Sequence, residues 1–350
     1  MTALSRRPLR TMPPEPSTSK AANIMRHLWL LAAASFLAIP AAVDAQQSAI
    51  RDGLPLPAIS VSGDAFFADS RPWLPAGVNI IGLLAARPSD VGAAAMYDRA
   101  TAHFSPETLE DAQAFGANVV RFQASQPRLD PQFPDYVPDY LDRVVQGVRE
   151  AQQVGLIPII SMQWEKGTGV LGLSSMPDTA TACAWTQIAP SFAQDRGLVY
   201  EPFNEPNLPA AAKGEPMNLL RRWQGAPPLR DPLGQLAYSA HPHPTLGQPA
   251  APAGWDERFG TFALTYPVLI TEWIMDSGLF CQPDAAQVAR NLLDYSLEHR
   301  IGFIAWTFNA SGSLVTDFQG DPTTYQDFHC GPGNGGSRQI FQTRFLQRMP

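Results

Sequence analysis

From residue 76 to residue 308 short apolar runs alternate with amphipathic, helix-patterned stretches. That alternation confines the chain to a parallel sheet with helices packed on it, because neighbouring parallel strands need a crossover between them. The strand-like runs are 76–81, 117–122, 156–161, 198–205, 236–240, 267–272 and 302–308. Ser105 reads as a helix N-cap with Pro106 at the first helical position; Leu109, Ala112 and Phe115 share a face, and Gly116 stops the helix. The next helix carries Leu141, Val144, Val145, Val148 and Ala151 on one stripe and ends near Gly155. Asp284 and Gln287 have the spacing of a capping box, ahead of a helix that buries Val288, Leu292 and Leu293. Residues 59–73, with Gly63 and Asp64 in the middle, read as a small hairpin that plugs one barrel end.

The middle is compressed. The first four runs begin about forty residues apart, comfortable for βα units that want roughly thirty or more. Between 198 and 236 only 38 residues must hold two such units. Either residues 217–223 are the fifth strand, with 207–216 in place of a whole helix, or 217–223 are themselves helical and the strand is missing. The fold expected is therefore α/β, a (β/α)8 TIM barrel that can lack the helix between its fourth and fifth strands.

Charge and composition narrow the partners. The 350 residues carry a net charge of −7, and only 16% are charged. No basic footprint for nucleic acid exists, whereas mild acidity is compatible with a neutral ligand. Residues 1–24 form a polar upstream extension, and Met25 is an alternative start. Residues 25–45 read as an export signal: Arg26 and His27, an apolar stretch over 28–39, and Val43 and Ala45 ahead of Gln46. The apolar stretch falls short of the ~20 residues that span a bilayer. A secreted or periplasmic monomer is expected, with residues 46–350 as one domain and no membrane span once the signal is removed. Cys183, Cys281 and Cys330 fit neither a zinc framework nor a disulfide-dense scaffold. Cys281 and Cys330 follow neighbouring strands and could pair across one rim, leaving Cys183 free. Asn309 and Ser311 frame a glycosylation sequon in a eukaryotic host.

The chemistry lies at strand ends. Glu205 and Glu272 each close an apolar run, and the C-terminal tips of barrel strands are where such folds assemble active sites. Two carboxyl groups flanking one acetal are what hydrolysis of a glycosidic bond needs. One must be protonated near neutral pH, so Glu205 is expected to have a raised pKa from burial or a neighbouring carboxylate. The other must stay ionised, and Arg121 is the cation at a predicted strand end able to hold Glu272 so. Glu201, four residues before Glu205, reads as a buried structural acid. Trp164, Trp223, Trp273 and Trp306 lie at or just past strand ends, where indoles can stack on sugar faces; core packing is the preferred reading for Trp273. His241 and His243 have the spacing of a metal-ligand pair, but no further His or Asp cluster completes a shell, so no metal and no cofactor are expected.

These motifs resemble glycoside hydrolase family 5, the cellulase family, over nearly all of residues 55–346. The resemblance rests on Gly77, Val78 and Asn79; Val120 and Arg121; Asn204, Glu205 and Pro206; His241, Pro242 and His243; Thr271, Glu272 and Trp273; and Ala305 and Trp306. It implies a retaining hydrolase of a β-linked polysaccharide or oligosaccharide, an endo-β-1,4-glucanase or else a β-mannanase or other family 5 specificity, with a carbohydrate-binding pseudoenzyme as the rival and a transglycosylase as a third reading. It implies Glu205 as acid/base, Glu272 as nucleophile, Arg121 holding the nucleophile ionised, Asn204 on the sugar 2-hydroxyl and Trp306 as a platform for the reactive sugar. Three departures stand out. Gln163 occupies the place of a usual His, His243 that of a Tyr, and the helix after the fourth strand is compressed away.

Overall fold

The computed structural model describes residues 56–81, 83, 104–131, 133, 136–163, 176–205, 231–244, 248–273, 284–309, 314 and 337–349. The extension, the export signal, residues 217–223, Trp164, Trp223, Cys281 and Cys330 lie outside the described residues, so the expectations placed on them are not addressed by the structure.

Two sheets are present among the described residues. Strands β1 (Ile59–Ser62), β2 (Ala65–Ala68) and β3 (Arg71–Trp73) form an antiparallel meander, one strand more than the expected hairpin. Gly63 sits at φ +60 in the first turn, and Asp69 and Ser70 take the left-handed region in the second. The larger sheet comprises β4 (Ala76–Ile80), β5 (Val119–Ser125), β6 (Ile157–Gln163), β7 (Val199–Glu201), β8 (Tyr238–Ala240), β9 (Val268–Ile270) and β10 (Gly302–Ala305). Its order is β7-β6-β5-β4-β10-β9-β8, and every pair is parallel. That is the order of a barrel running from its fourth strand back through its first and eighth to its sixth. The fold is a (β/α)8 barrel, with the fifth-strand segment outside the described residues.

Strand alternation divides the strand side chains into two sets. Val78, Val120, Phe122, Ile160, Ile270 and Phe303 point outward into the main core beneath the helices, while Val119, Ile157, Ile159, Leu269 and Ile304 point inward. The meander caps this inner cluster from the start of the strands: Phe66 is buried in it, and Ile59, Val61 and Trp73 pack against it. The next inward positions along the strands are polar: Asn79, Arg121, Gln123 and Ser161, all fully buried. The barrel is thus dry and apolar at one end and hydrogen-bonded at the other.

Among the helices, α1 (Pro106–Phe115) starts after Ser105 and ends on Gly116 at φ +110, as the sequence implies. The next, α2 (Gln126–Leu129), is a single turn after β5, and α3 (Tyr140–Gln153) buries Tyr140, Val144, Gly147, Val148 and Ala151. Leu141 and Val145 are only partly buried, so the apolar stripe is rotated towards Tyr140, whose hydroxyl accepts the Ser125 N–H at 2.6 Å. Helix α4 (Thr179–Ile188) has a capping box made by Asp178 and Thr181. After β8, α5 (Pro252–Trp255) continues through a π-helical turn into α6 (Thr261–Ala263). The capping box expected ahead of α7 (Ala285–Glu298) does not form: Gln287 instead donates to Asn291 at 2.8 Å, one turn further on. The last helix, α8 (Ser337–Arg344), buries Ile340 and Phe341. Asn309 is buried and accepts the Ile81 N–H at 3.1 Å, so the sequon is spent on holding strand ends together.

Gly77 faces inward where β4 meets β5, and a Cβ there would lie 1.8 Å from the Val119 carbonyl oxygen. Backbone cannot yield as a side chain would. Gly77→Ala should therefore cost about 3 kcal/mol or more of stability, in the range of severe core strain. Denaturant unfolding checks this, and a cost under about 1 kcal/mol would contradict the packing described.

Candidate active site

Arg121, on the inner face of β5, is fully buried, and it spends its donors on five neighbours. Its Nε and Nη2 hold both oxygens of Glu201, at 2.6 and 3.2 Å. Nη1 donates to Asn79 Oδ1 at 2.8 Å and to Glu272 Oε2 at 3.3 Å. Nη2 also reaches Ser161 Oγ at 2.9 Å and Asn204 Oδ1 at 2.7 Å. The charge of Arg121 is further secured by these carboxylates: burial opposes it, but Glu201 and Glu272 outweigh burial and raise its pKa. Glu201 is the buried structural acid expected of it, and it takes the closer share of the guanidinium. Asn79 is held in turn, donating to the carbonyls of Thr271 and Ala305 at 3.0 and 3.2 Å. Arg121 therefore ties together five strands or strand ends, β4 to β7 and the exit of β9.

Two strand exits carry the carboxyls of Glu205 and Glu272. Asn204 is anchored by its N–H to the Met162 carbonyl at 2.9 Å, and Glu205 follows in the left-handed region at φ 46. Such a conformation costs a non-glycine residue on the order of 1–3 kcal/mol and persists only where neighbours enforce it. Here His241 does so, its Nδ1 lying 2.9 Å from Glu205 Oε1. Glu272 follows β9, with one of its oxygens within 4.8 Å of one of Glu205.

Hydrogen-bond counting places the protons. The Thr271 hydroxyl lies 3.2 Å from Glu201 Oε1, 2.8 Å from His241 Nε2, and against the Ser239 hydroxyl. Thr271 donates its one hydroxyl proton to Glu201, so it accepts from His241 Nε2–H. One further proton then lies between His241 Nδ1 and Glu205. Burial, the largest influence on Glu205, would raise its pKa, but hydrogen bonds and charge from His241 and His243 hold it well below the usual carboxylate range. His241 shifts the other way: burial lowers it, and Glu272 and Glu205 outweigh burial and raise it. The expectation of a raised Glu205 is thus corrected: in the ligand-free protein the proton rests on the imidazole, one hydrogen bond away.

The other expected site residues divide. His243 is buried, its Nε2 3.6 Å from Glu205 and 3.8 Å from Glu272. Gln163 ends β6 with its side-chain oxygen buried and without a hydrogen-bond partner among the described residues. Trp306 follows β10 and is 7% exposed, whereas Trp273 is wholly buried edge-on to Phe303 and belongs to the core, as expected. Asn79, Ser161 and Thr271 were not singled out as site residues by the sequence reading, although each stands in a motif or run it identified. Alternation from Arg121 and its neighbours is the pattern that points to them. The groups beside His241 and His243 are glutamates rather than a further His or Asp cluster: one oxygen each of Glu205 and Glu272 lies within 4.8 Å of a ring nitrogen of both.

The family model for cellulase (glycosyl hydrolase family 5) matches residues 100–226, a span that contains Arg121, Asn204 and Glu205. That segment of the chain is similar to glycosyl hydrolase family 5. No curated protein matches the chain in sequence. Among solved structures it is similar to a β-glucanase from Saccharophagus degradans in complex with cellotetraose, at 20% identity and a TM-score of 0.60, covering 84% of this chain and 94% of that one. An endocellulase from Pyrococcus horikoshii, complexed with cellotetraose, is 17% identical with a TM-score of 0.54, covering 76% and 96%. A β-mannanase from Streptomyces thermolilacinus with mannohexaose is 18% identical with a TM-score of 0.52, covering 83% and 95%. The partial family match supports a glycosidase, and the chain shares the barrel fold of these structures.

The glycosidase's His241–Glu205 pair has a pH signature. The groups facing His241 are Glu205, Glu201, Glu272 and, opposing them, Arg121. A raised His contributes stability that is complete below its ordinary 6.5 and is lost as pH rises through the higher folded value. A lowered Glu contributes stability that is present above its ordinary 4.5 and is lost as pH falls through the lower folded value. The pair is therefore worth most between these two ordinary values. His241→Asn should lower Tm most in that window and progressively less as pH rises above it; a difference that does not change with pH would contradict the proton placement.

Proposed function

We propose that this chain is an exported retaining β-glycanase, an endo-β-1,4-glucanase, with Glu205 as acid/base and Glu272 as nucleophile. The observation that carries this reading is the approach of the two carboxyls to within 4.8 Å, measured oxygen to oxygen. Retaining enzymes place their carboxyl groups about 5–5.5 Å apart, whereas inverting ones leave about 6.5–9.5 Å for a water. The pair here leaves no such room.

In the first step a Glu272 oxygen attacks the anomeric carbon while the bond to the leaving oxygen breaks. That oxygen takes a proton that Glu205 draws from the adjacent His241 along their hydrogen bond, which leaves Glu205 a carboxylate ready for the second step. In the second step water attacks the glycosyl–Glu272 ester, Glu205 takes its proton, and Glu272 leaves as a carboxylate. Arg121 Nη1 donates to Glu272 Oε2 and holds that carboxyl in place between turnovers. Asn204 has its side-chain oxygen taken by Arg121, so it can offer only its NH2 to a sugar hydroxyl. Gln163 supplies a buried acceptor, and Trp306 a flat apolar face.

Export rests on the basic, apolar and small-residue order of residues 25–45. The glucan assignment draws on cellotetraose in two of the similar structures; a β-mannan substrate is the second reading, favoured by the similarity to the mannohexaose complex. Residues 46–350, incubated with β-1,4-glucan, mannan and xylan and followed by NMR of the first-formed anomer, should cleave glucan with retention. Glu205→Gln and Glu272→Gln should each lower the rate by about a thousandfold or more. Glu205→Ala should spare aryl glycosides with good leaving groups, which need little acid help. Inverted product, equal losses on both substrate types, or binding without cleavage would each overturn the proposal.

A further inference from the structure

His241 and His243 stand two residues apart just past β8, with ring centroids 6.0 Å apart. One ring nitrogen of each and one oxygen each from Glu205 and Glu272 all lie within 4.8 Å of one another. Glu205 Oε1 is 2.9 Å from His241 Nδ1 and 3.6 Å from His243 Nε2, while Glu272 approaches the same two nitrogens with different oxygens, Oε2 at 3.9 Å and Oε1 at 3.8 Å. A tetrahedral centre with bonds of about 2.0–2.1 Å to nitrogen and oxygen requires ligand–ligand edges of roughly 3.3–3.4 Å. The two Glu205 edges bracket that value, and a turn of the Glu272 carboxylate that brings one oxygen towards both nitrogens would complete the set.

Chemistry and support agree with the geometry. Two imidazoles and two carboxylates suit a first-row divalent metal, and the carboxylates balance its charge. A ligating His needs its second nitrogen held, and His241 Nε2 is bonded at 2.8 Å to Thr271, which in turn bonds Glu201. Access is from the side of Glu205, whose side chain is 26% exposed while that of His243 is 5%. The glycosidase reading uses both carboxylates and His241, yet leaves unassigned a second imidazole whose Nε2 is almost equidistant from an oxygen of each carboxylate.

We propose that Glu205, His241, His243 and Glu272 form a site for a divalent transition metal of the Zn2+ class, and that metal and glycoside exclude each other there. The second half rests on the reading of Glu205 and Glu272 as the hydrolytic pair, because a bound metal would consume both as ligands.

The test uses untagged residues 46–350, stripped with a chelator, with Zn2+ titrated against a chromophoric competitor and Co2+ followed by visible absorption. Expected are one equivalent bound at micromolar Kd or tighter and the intense bands of four-coordinate Co2+. His243→Gln should weaken Zn2+ at least about a hundredfold, and Thr271→Val, which touches only the support, about tenfold. Circular dichroism confirms that each variant is folded, and Glu272→Gln is a second ligand variant if His243→Gln is not. Stoichiometric Zn2+ should stop β-glucan cleavage, and chelator should restore it. Millimolar binding, or binding unchanged by the ligand variants, in a protein whose hydrolysis still needs Glu205 and Glu272, would overturn the metal site and leave the hydrolase reading standing. Tight, His243-dependent binding with undiminished hydrolysis would instead overturn the exclusion and the assignment of the two carboxylates.

Discussion

One buried cation organises the working end of this barrel. Arg121 has no solvent to satisfy it, so its charge must be answered by protein groups, and an unanswered buried charge costs several kcal/mol. Glu201 answers most closely, Glu272 next, and Asn79, Ser161 and Asn204 take the remaining donors. Those groups come from β4, β6, β7 with its exit, and the exit of β9, while Arg121 itself stands on β5. Satisfying Arg121 therefore fixes the mutual position of five chain segments, and the two that carry Glu205 and Glu272 are among them.

This explains why two acids so close together divide their duties. Glu272 sits against the guanidinium, whereas Glu205 is turned towards the His241 imidazole by a left-handed backbone. Thr271 links the two halves: its hydroxyl answers Glu201 on the Arg121 side and orients His241 on the other. A chain of single hydrogen bonds thus runs from the structural acid to the reactive one. The protein keeps the mobile proton on the imidazole rather than on Glu205, so acid strength here is a property of the pair.

The barrel was legible because its signal is repetitive: seven apolar runs of strand length, each observed as a strand near the position expected. The two glutamates and Arg121 were legible because they interrupt apolar runs at their ends. The polar layer was harder to read. Asn79 and Thr271 look like ordinary strand residues, and only the alternation around Arg121, together with the closing of strands far apart in sequence, turns them inward. The capping box at Asp284 failed for a local reason, since the Gln287 side chain reaches Asn291 on its own helix. The pKa of Glu205 was misjudged because burial was weighed without His241, thirty-six residues away in sequence and 2.9 Å away in space.

The central claim is that Arg121 serves two carboxylates at once, one for the fold and one for the chemistry. A double-mutant cycle on Arg121 and Glu201 separates them. Arg121→Met alone strands a buried carboxylate and should cost about 3–5 kcal/mol. Arg121→Met combined with Glu201→Gln removes both charges and should regain at least half of that loss, yet remain without measurable β-glucan hydrolysis because Glu272 has lost its cation. A double variant that is both stable and active at the wild-type rate would contradict the account.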